Sequence, residues 1–146
     1  MISGAYRRKL KPIRDERGFL VEILRSDWEN FAGFGQVYIT TALPGVVKAW
    51  HYHKHQKDNF CVIKGKAKIA LYDAREDSPT FGEIEEFIVE DGDWLLITIP
   101  PMVMHGFKNI GDEEVYLLNT PNRLYNYEEP DEHRVPHDSP DIPYKW

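Results

Sequence analysis

A succession of short strand-like segments, separated by turn residues, limits what this chain can fold into. Gly, Pro, Asp and Asn lie between the segments, as they do between the strands of all-β proteins. We predict strands over residues 19–24, 36–41, 46–53, 59–63, 67–72, 84–89, 94–99, 104–109 and 115–120, and a short helix over residues 27–34. Many short strands at this spacing predict a sandwich or barrel, of which the jelly roll is one form.

Length and composition exclude several classes of protein. The chain has 146 residues, 42% of them hydrophobic, and we expect one folded domain over residues 1–146. The net charge of −6 argues against nucleic acid as a partner. A single cysteine, Cys61, excludes an intrachain disulfide and a cysteine-based zinc site. No apolar run approaches the roughly 18 residues of a membrane span, and no signal-peptide pattern opens the chain, so we expect a cytoplasmic protein without membrane association.

The segment 121–146 differs from the rest of the chain, because it holds five of the ten prolines together with four aromatic residues. We expect it to wrap irregularly around the barrel and to return polar groups to a pocket. Exposed strand edges also need cover, and dimerisation by sheet extension is a common way of providing it.

Histidines are concentrated in one predicted strand, within the sequence KAWHYHKHQKD of residues 48–58. Successive side chains of a strand alternate between its faces, so His51, His53 and His55 share a face if the strand continues that far. A further histidine, His105, follows in a later predicted strand. These residues predict a functional site on the two strands.

Two chemistries suit this set of histidines. A neutral imidazole can take a proton from a carbon beside a carbonyl, which is a role for His51 as general base. Alternatively, the set can bind a divalent metal, because its spacing between Gly45 and Gly65 is that of cupin metal sites, with aspartate in place of glutamate. The ligands would be His51, His53, Asp58 and His105.

Several motifs along the chain resemble those of one enzyme family. They are DERGFLVE at 15–22, GVVKAWHY at 45–52, YDAREDSPTFG at 72–82, HGF at 105–107 and the closing residues 138–146. The chain is similar over about residues 12–146 to the dTDP-4-dehydrorhamnose 3,5-epimerases, which are cupin jelly rolls. The resemblance implies an all-β fold, the cupin double-stranded β-helix. It also implies a homodimer and no cofactor.

The activity that this resemblance implies is a metal-free proton transfer on a nucleotide-linked 4-keto-6-deoxy sugar in surface polysaccharide synthesis. His51 matches the family's base, and Asp138 matches the carboxylate that orients it. An acid must return a proton to the opposite face of the sugar. Tyr116 is the candidate for that acid, with Tyr125 and Tyr127 as alternatives.

The resemblance also assigns residues to substrate binding. Arg17 matches an arginine that binds the diphosphate, for which a guanidinium is well shaped. The other matching or neighbouring positions are Glu22, Gln36, Lys48, Lys57 and His105. Arg75, beside Asp73 in a turn, is expected to be structural.

The chain departs from the family at three positions of the predicted site. Lys48 replaces an arginine and His53 replaces a glutamine, while Asp58 stands where the family has the lysine that stabilises the developing oxyanion. A carboxylate repels that charge. Either Lys57 or Lys48 replaces the missing lysine, or a metal held by the histidines acts as Lewis acid. Three functions therefore stay open: the epimerase, a metal-dependent cupin of other activity, and a non-catalytic module that binds sugar nucleotides.

Overall fold

Antiparallel strands form the regular structure of this chain in a computed structural model that describes residues 1–146. The strands in chain order are β1 (Tyr6–Lys9), β2 (Ile13–Asp15), β3 (Gly18–Leu20), β4 (Tyr38–Ala42), β5 (Val47–Tyr52), β6 (Asp58–Lys64), β7 (Lys66–Asp73), β8 (Ile84–Glu90), β9 (Leu95–Ile99), β10 (Val103–Asn109), β11 (Val115–Asn119) and β12 (His133–Arg134). The chain has no helix, and hence none that could cross a membrane.

The strands form two five-stranded sheets and a separate hairpin. The first sheet has the order β1-β9-β6-β11-β4, and the second has the order β12-β5-β10-β7-β8. A cluster of 15 buried residues forms the main core, with Ile69 and Leu71 from the second sheet and Ile97 and Leu117 from the first. Burying each such side chain contributes roughly 1.5–3 kcal/mol. This arrangement is the predicted cupin jelly roll.

The predicted helix over residues 27–34 is wrong. The segment forms tight turns, in which Phe31 N donates to Trp28 O at 3.0 Å. Asn30 is tied to the first sheet instead, since its Nδ2 donates to Thr98 Oγ1 at 2.8 Å. Gly33 then adopts a φ of 106°, outside the helical region. A segment this short does not nucleate a helix without help from packing, and here the packing favours the turns.

The carboxyl-terminal segment wraps the second sheet as predicted. Its short strand β12 pairs with β5, which sets His133 opposite Tyr52 and Arg134 opposite His51. Further along, Trp146 packs against the fully buried Trp50, with ring centroids 4.9 Å apart. The segment therefore closes the open side of β5, the strand that carries His51.

The turn between β7 and β8 explains the motif at residues 78–82. Asp73 is fully buried, and its carboxylate accepts hydrogen bonds from Arg75 Nε at 2.7 Å and from the hydroxyls of Ser78 and Thr80 at 2.6 Å. Burial alone would raise the pKa of Asp73, but these hydrogen bonds hold it well below its usual value. Arg75 thus stabilises a turn, as its position predicts.

Candidate active site

A cavity of about 1000 Å³ opens between the two sheets. Its first-sheet wall includes Tyr38 and Thr40 from β4 and Asp58 from β6, while its second-sheet wall includes His51 from β5 and His105 from β10. The segment 123–134 contributes the remaining side of the cavity. The volume is that of a ligand-binding site, and most of the lining residues are polar, as suits a polar ligand.

At the inner end of the cavity, Asp58 lies between two histidines. Its Oδ2 is 3.0 Å from His53 Nε2 and 3.1 Å from His105 Nε2, and its Oδ1 accepts a hydrogen bond from Gln56 Nε2 at 2.8 Å. The carboxylate is only 1% exposed. Burial opposes its charge, but the hydrogen bonds from His105 and His53 hold the pKa of Asp58 far below its usual value. Asp58 is therefore a buried anion.

The other ring nitrogen of each of these histidines faces a backbone carbonyl. His53 Nδ1 donates to Asp131 O, and His105 Nδ1 lies 3.0 Å from Val103 O. Each Nδ1 therefore carries a hydrogen, and a neutral ring then has only a lone pair on Nε2. Because a lone pair repels a carboxylate, a proton or a metal cation must lie between each Nε2 and Asp58. Although burial opposes it, the hydrogen bond and charge of Asp58 raise the pKa of His53. His53 is thus suited to the imidazolium form.

His51 occupies a separate position on the cavity wall. Its ring centroid is 6.4 Å from that of His105, and its Nδ1 is 3.4 Å from Glu132 Oε1. Burial and the neighbouring His105 lower the pKa of His51 to about 4, against the opposing charge of Glu132. His51 is therefore neutral at pH 7, as a general base must be.

The structure does not bring Asp138 to His51. Asp138 is exposed and does not line the cavity, and the carboxylate beside His51 belongs to Glu132. The cause is the course of the chain after β12. Val135 still pairs with Trp50, but the following residues turn away from the cavity until Ile142 packs against Trp50.

The predicted tyrosines also differ in their placement. Tyr116 points away from the cavity, toward Lys64, whose Nζ is 5.4 Å from the ring centroid. Tyr127 is 90% exposed and lies outside the cavity lining, whereas Tyr125 lines it. A tyrosine that the sequence analysis did not single out, Tyr38, lines the cavity from the opposite sheet.

The predicted binding residues separate into two groups. Gln36, Lys48 and His105 line the cavity. The others do not: Arg17 pairs with Asp15 in the β2–β3 hairpin, Glu22 pairs with Arg25, and Lys57 lies outside the lining. Two arginines that sequence reasoning missed, Arg123 and Arg134, lie at the cavity, and no spacing in the sequence marks them.

Asp131 holds the loop that follows β5. Its carboxylate accepts hydrogen bonds from the backbone N–H groups of Lys54, His55 and Gln56, at 2.7, 2.9 and 3.2 Å. Its own carbonyl accepts from His53. Asp131, in the carboxyl-terminal segment, therefore fixes the loop between β5, which carries His51, and β6, which carries Asp58.

Comparisons with known proteins show the family and the fold of this chain. The sequence profile of the polysaccharide biosynthesis C-terminal domain matches residues 13–133. The chain is 46% identical to the probable low-salt glycan biosynthesis epimerase Agl13 of Haloferax volcanii, over 95% of this chain and 90% of that protein. A dTDP sugar isomerase from Desulfovibrio desulfuricans G20 superposes with a TM-score of 0.91 at 34% identity, covering 99% of this chain and 92% of the isomerase. A dTDP-4-dehydrorhamnose 3,5-epimerase from Elizabethkingia anophelis NUHP1 has a TM-score of 0.82 at 22% identity, covering 99% and 82%, and shares the fold.

Proposed function

We propose a reaction for this chain on the premise that it belongs to the polysaccharide biosynthesis C-terminal domain family and is a sugar-nucleotide epimerase. The reaction inverts a carbon beside the ketone of a dTDP-linked 4-keto-6-deoxyhexose, by removal and return of a proton. The observation that carries this proposal is the position of His51, an imidazole 3.4 Å from Glu132 on one wall of a polar cavity whose other wall belongs to the opposite sheet.

His51 is the proposed base. A hydrogen on its Nδ1 directs that nitrogen toward Glu132 and leaves the lone pair of Nε2 for the substrate. The carbon beside a ketone is acidic enough for an imidazole to remove its proton when the oxygen of the resulting enolate is stabilised. Glu132 is the proposed positioning residue, since its charge favours the imidazolium that forms as the proton arrives.

The enolate oxygen needs a positive group, and the cluster of His53, Asp58 and His105 supplies one. Protons on both Nε2 atoms would satisfy its hydrogen-bond pattern, and the positive charge of His53 then acts through space on an oxyanion in the cavity, because both N–H groups of His53 already have acceptors. The charge of Asp58 then stabilises the cation at a buried position, and the cation offsets the repulsion between Asp58 and the oxyanion. This arrangement replaces the lysine that the resembled family has at this position.

A divalent metal at the same cluster is a second candidate, favoured by the arrangement of donor atoms. The ligand atoms of His53, Asp58 and His105 lie within 4.8 Å of one another. The Nδ1 contacts to backbone carbonyls are those that orient metal-binding histidines, and imidazole with carboxylate suits several transition metals. A bound cation would polarise the ketone oxygen as a Lewis acid. His51 is outside this group, so base and metal need not compete for one nitrogen.

The diphosphate of the substrate is proposed to lie beside the basic residues of the cavity. Lys48, Arg123 and Arg134 lie there, on an otherwise acidic chain. Guanidinium and ammonium groups pair well with phosphate oxygens. The similar isomerase from Desulfovibrio desulfuricans G20 is described as acting on a dTDP sugar, which supports this nucleotide.

A homodimer formed through the first sheet is the proposed assembly. Strand β4 is an edge of that sheet, and it exposes 51% of Ile39, next to Val37 and Leu43, which are 54% and 61% exposed. An apolar, unpaired edge of this kind is normally covered by another chain. A cytoplasmic location is proposed as well, because nucleotide sugars are the substrate class.

The test is a product assay with dTDP-4-keto-6-deoxyglucose, read by NMR of the sugar protons. The enzyme is first treated with a chelator and then assayed with and without added Zn²⁺, Mn²⁺ or Fe²⁺. We expect a new epimer from the wild-type enzyme and a loss of at least about 100-fold in rate for His51→Asn. His133→Asn is the matched control, because His133 stacks on Tyr52 and does not line the cavity.

The outcomes separate the candidates. Activity that survives chelation supports the cationic cluster, and activity that returns only with added metal supports the second candidate. No epimer from this or another nucleotide-linked 4-keto sugar, or full activity of His51→Asn, would contradict the proposed function.

A further inference from the structure

Inversion of a carbon centre needs two proton-carrying groups, one on each face of the sugar. His51 lies on β5 of the second sheet, so the second group belongs on the wall formed by the first sheet. Apart from Gln56, which donates to Asp58, the polar side chains that the first sheet and its entry contribute to the cavity are Gln36, Tyr38, Thr40 and Asp58. One of these must return the proton.

Three of these side chains are already engaged or chemically unsuited. Gln36 Oε1 accepts a hydrogen bond from Tyr125 N at 2.9 Å, and Asp58 is the buried anion between two histidines. Thr40 Oγ1 accepts from Lys48 Nζ at 3.1 Å, and an aliphatic hydroxyl is far too weak an acid for this step. The phenol of Tyr38 is the remaining proton donor on that wall.

The hydrogen-bond pattern shows where the Tyr38 proton points. Asn119 is fully buried, and its Oδ1 accepts from Asn59 N at 2.9 Å, which fixes which end of the amide is nitrogen. Asn119 Nδ2 therefore donates to the Tyr38 hydroxyl oxygen, at 2.9 Å. Since the oxygen is an acceptor in this bond, its own hydrogen is free to be donated into the cavity.

We propose that Tyr38 is the catalytic acid of the epimerisation, held in place by Asn119, an assignment that rests on the proposed function. His51 Nε2 takes the proton, and the electron pair of the broken C–H bond passes into the enolate. Tyr38 Oη then delivers its proton to the opposite face of the same carbon, where that pair forms the new C–H bond. The tyrosinate takes a proton from solvent and the imidazolium releases one, so the step is a redox-neutral isomerisation.

The surroundings of Tyr38 keep the phenol protonated between turnovers. Burial, followed by the negative charges of Asp58 and Glu132, raises the pKa of Tyr38 to about 12, although the hydrogen bond from Asn119 lowers it. The hydroxyl is thus a donor at neutral pH, and the tyrosinate left by the reaction recovers a proton readily.

The other tyrosines are placed less well for this role. Tyr116 points out of the barrel. Tyr125 lines the cavity from the carboxyl-terminal segment, where its ring packs edge-on against Tyr127 at 5.0 Å and is not held by a buried amide. Tyr125 is the residue against which the proposal must be tested.

The experiment compares Tyr38→Phe with Tyr116→Phe and Tyr125→Phe in heavy water, using dTDP-4-keto-6-deoxyglucose. Deuterium in the recovered substrate reports proton removal by His51 and its return to the same face, and the new epimer reports inversion. For Tyr38→Phe we expect the exchange into substrate to continue while the rate of inversion falls at least about 100-fold. Tyr116→Phe, with the same chemical change outside the cavity, should match the wild type in both.

Several results would overturn the assignment. Inversion by Tyr38→Phe at the wild-type rate excludes Tyr38 as the acid. Equal losses of exchange and inversion in Tyr38→Phe place the residue in enolate formation instead. Loss of inversion with continued exchange in Tyr125→Phe assigns the acid to Tyr125. If the wild-type enzyme neither exchanges the substrate proton nor inverts the carbon, the proposed function is wrong, and so is the assignment of Tyr38.

Discussion

Replacing Asp58 by asparagine removes the one negative charge between the buried His105 and the partly buried His53, and the structure allows the cost to be estimated. The side chain keeps its size, and the amide oxygen can still accept from Gln56. The contacts of Oδ2 with His53 and His105, at 3.0 and 3.1 Å, lose their charge. Breaking a buried ion pair by removing one partner costs about 3–5 kcal/mol. Because the Gln56 contact survives, we expect the lower end, about 3 kcal/mol.

The assay for Asp58→Asn is urea unfolding followed by tryptophan fluorescence, with chelator present so that no metal contributes. A loss of about 3 kcal/mol corresponds to a decrease in the urea midpoint of roughly 1–3 M, at an m-value of about 1–3 kcal/mol per M. Asp138→Asn is the control, since this exposed carboxylate should change stability by less than about 0.5 kcal/mol. A loss below about 1 kcal/mol for Asp58→Asn would refute the reasoning.

The pH dependence of this difference follows from the two pKa shifts. The pKa of Asp58 is lowered on folding, so its contribution is present above the carboxyl's unfolded pKa and is lost as pH falls. The pKa of His53 is raised, so its contribution is present below the unfolded pKa of histidine and is lost as pH rises through the folded one. The stability difference between wild type and Asp58→Asn should therefore be largest between about pH 4 and pH 6.5. A difference that keeps growing above pH 8 would contradict the assigned shifts.

Two further substitutions test the site and its support. Glu132→Gln should lower the rate of epimerisation at least about tenfold. It should also lower the pKa of His51 further, as measured by NMR, because the charge that favours the imidazolium is gone. An unchanged rate, or a loss of rate in Asp138→Asn instead, would contradict the placement of Glu132. Gly106→Ala should lower the melting temperature, because the added Cβ would lie 2.2 Å from Ala49 Cβ and 2.7 Å from Lys48 O. Overpacking of this kind costs about 1–3 kcal/mol. An unchanged melting temperature would show that β5 and β10 can separate.

The sequence predicted the strands well where local signals and packing agree. Nine predicted segments overlap observed strands, although the first overlaps β3 only at Phe19 and Leu20. The gathering of His51, His53, Asp58 and His105 at one cavity also followed from the strand pattern and the spacing. Strands β1, β2 and β12 are too short for periodicity to mark them.

The alternation of side chains along β11 indicates the direction in which Tyr116 points, and the choice of Tyr116 as the acid did not take it into account. Val115 and Leu117 are fully buried apolar residues, so the residue between them faces outward. In the same way, Gln36, Tyr38 and Thr40 form one polar face of β4 and its entry, and that face lines the cavity.

The carboxylate beside His51 was beyond sequence reasoning. Glu132 and Asp138 lie in an irregular segment, where no periodicity relates position in the chain to position in space. The course of that segment is set by distant contacts, such as the pairing of Arg134 with His51 and the packing of Ile142 on Trp50. Only the folded chain shows that Glu132 lies beside His51.

Uptake of solvent deuterium during turnover tests the central claim most directly. The wild-type enzyme is incubated with dTDP-4-keto-6-deoxyglucose in heavy water, and the mass of the epimer is measured, with His51→Asn in parallel. The account predicts an epimer that carries one deuteron for each inverted carbon, and neither epimer nor deuterium from His51→Asn. An epimer formed without deuterium would show that the proton does not pass through an exchangeable group, and would contradict His51 as the base.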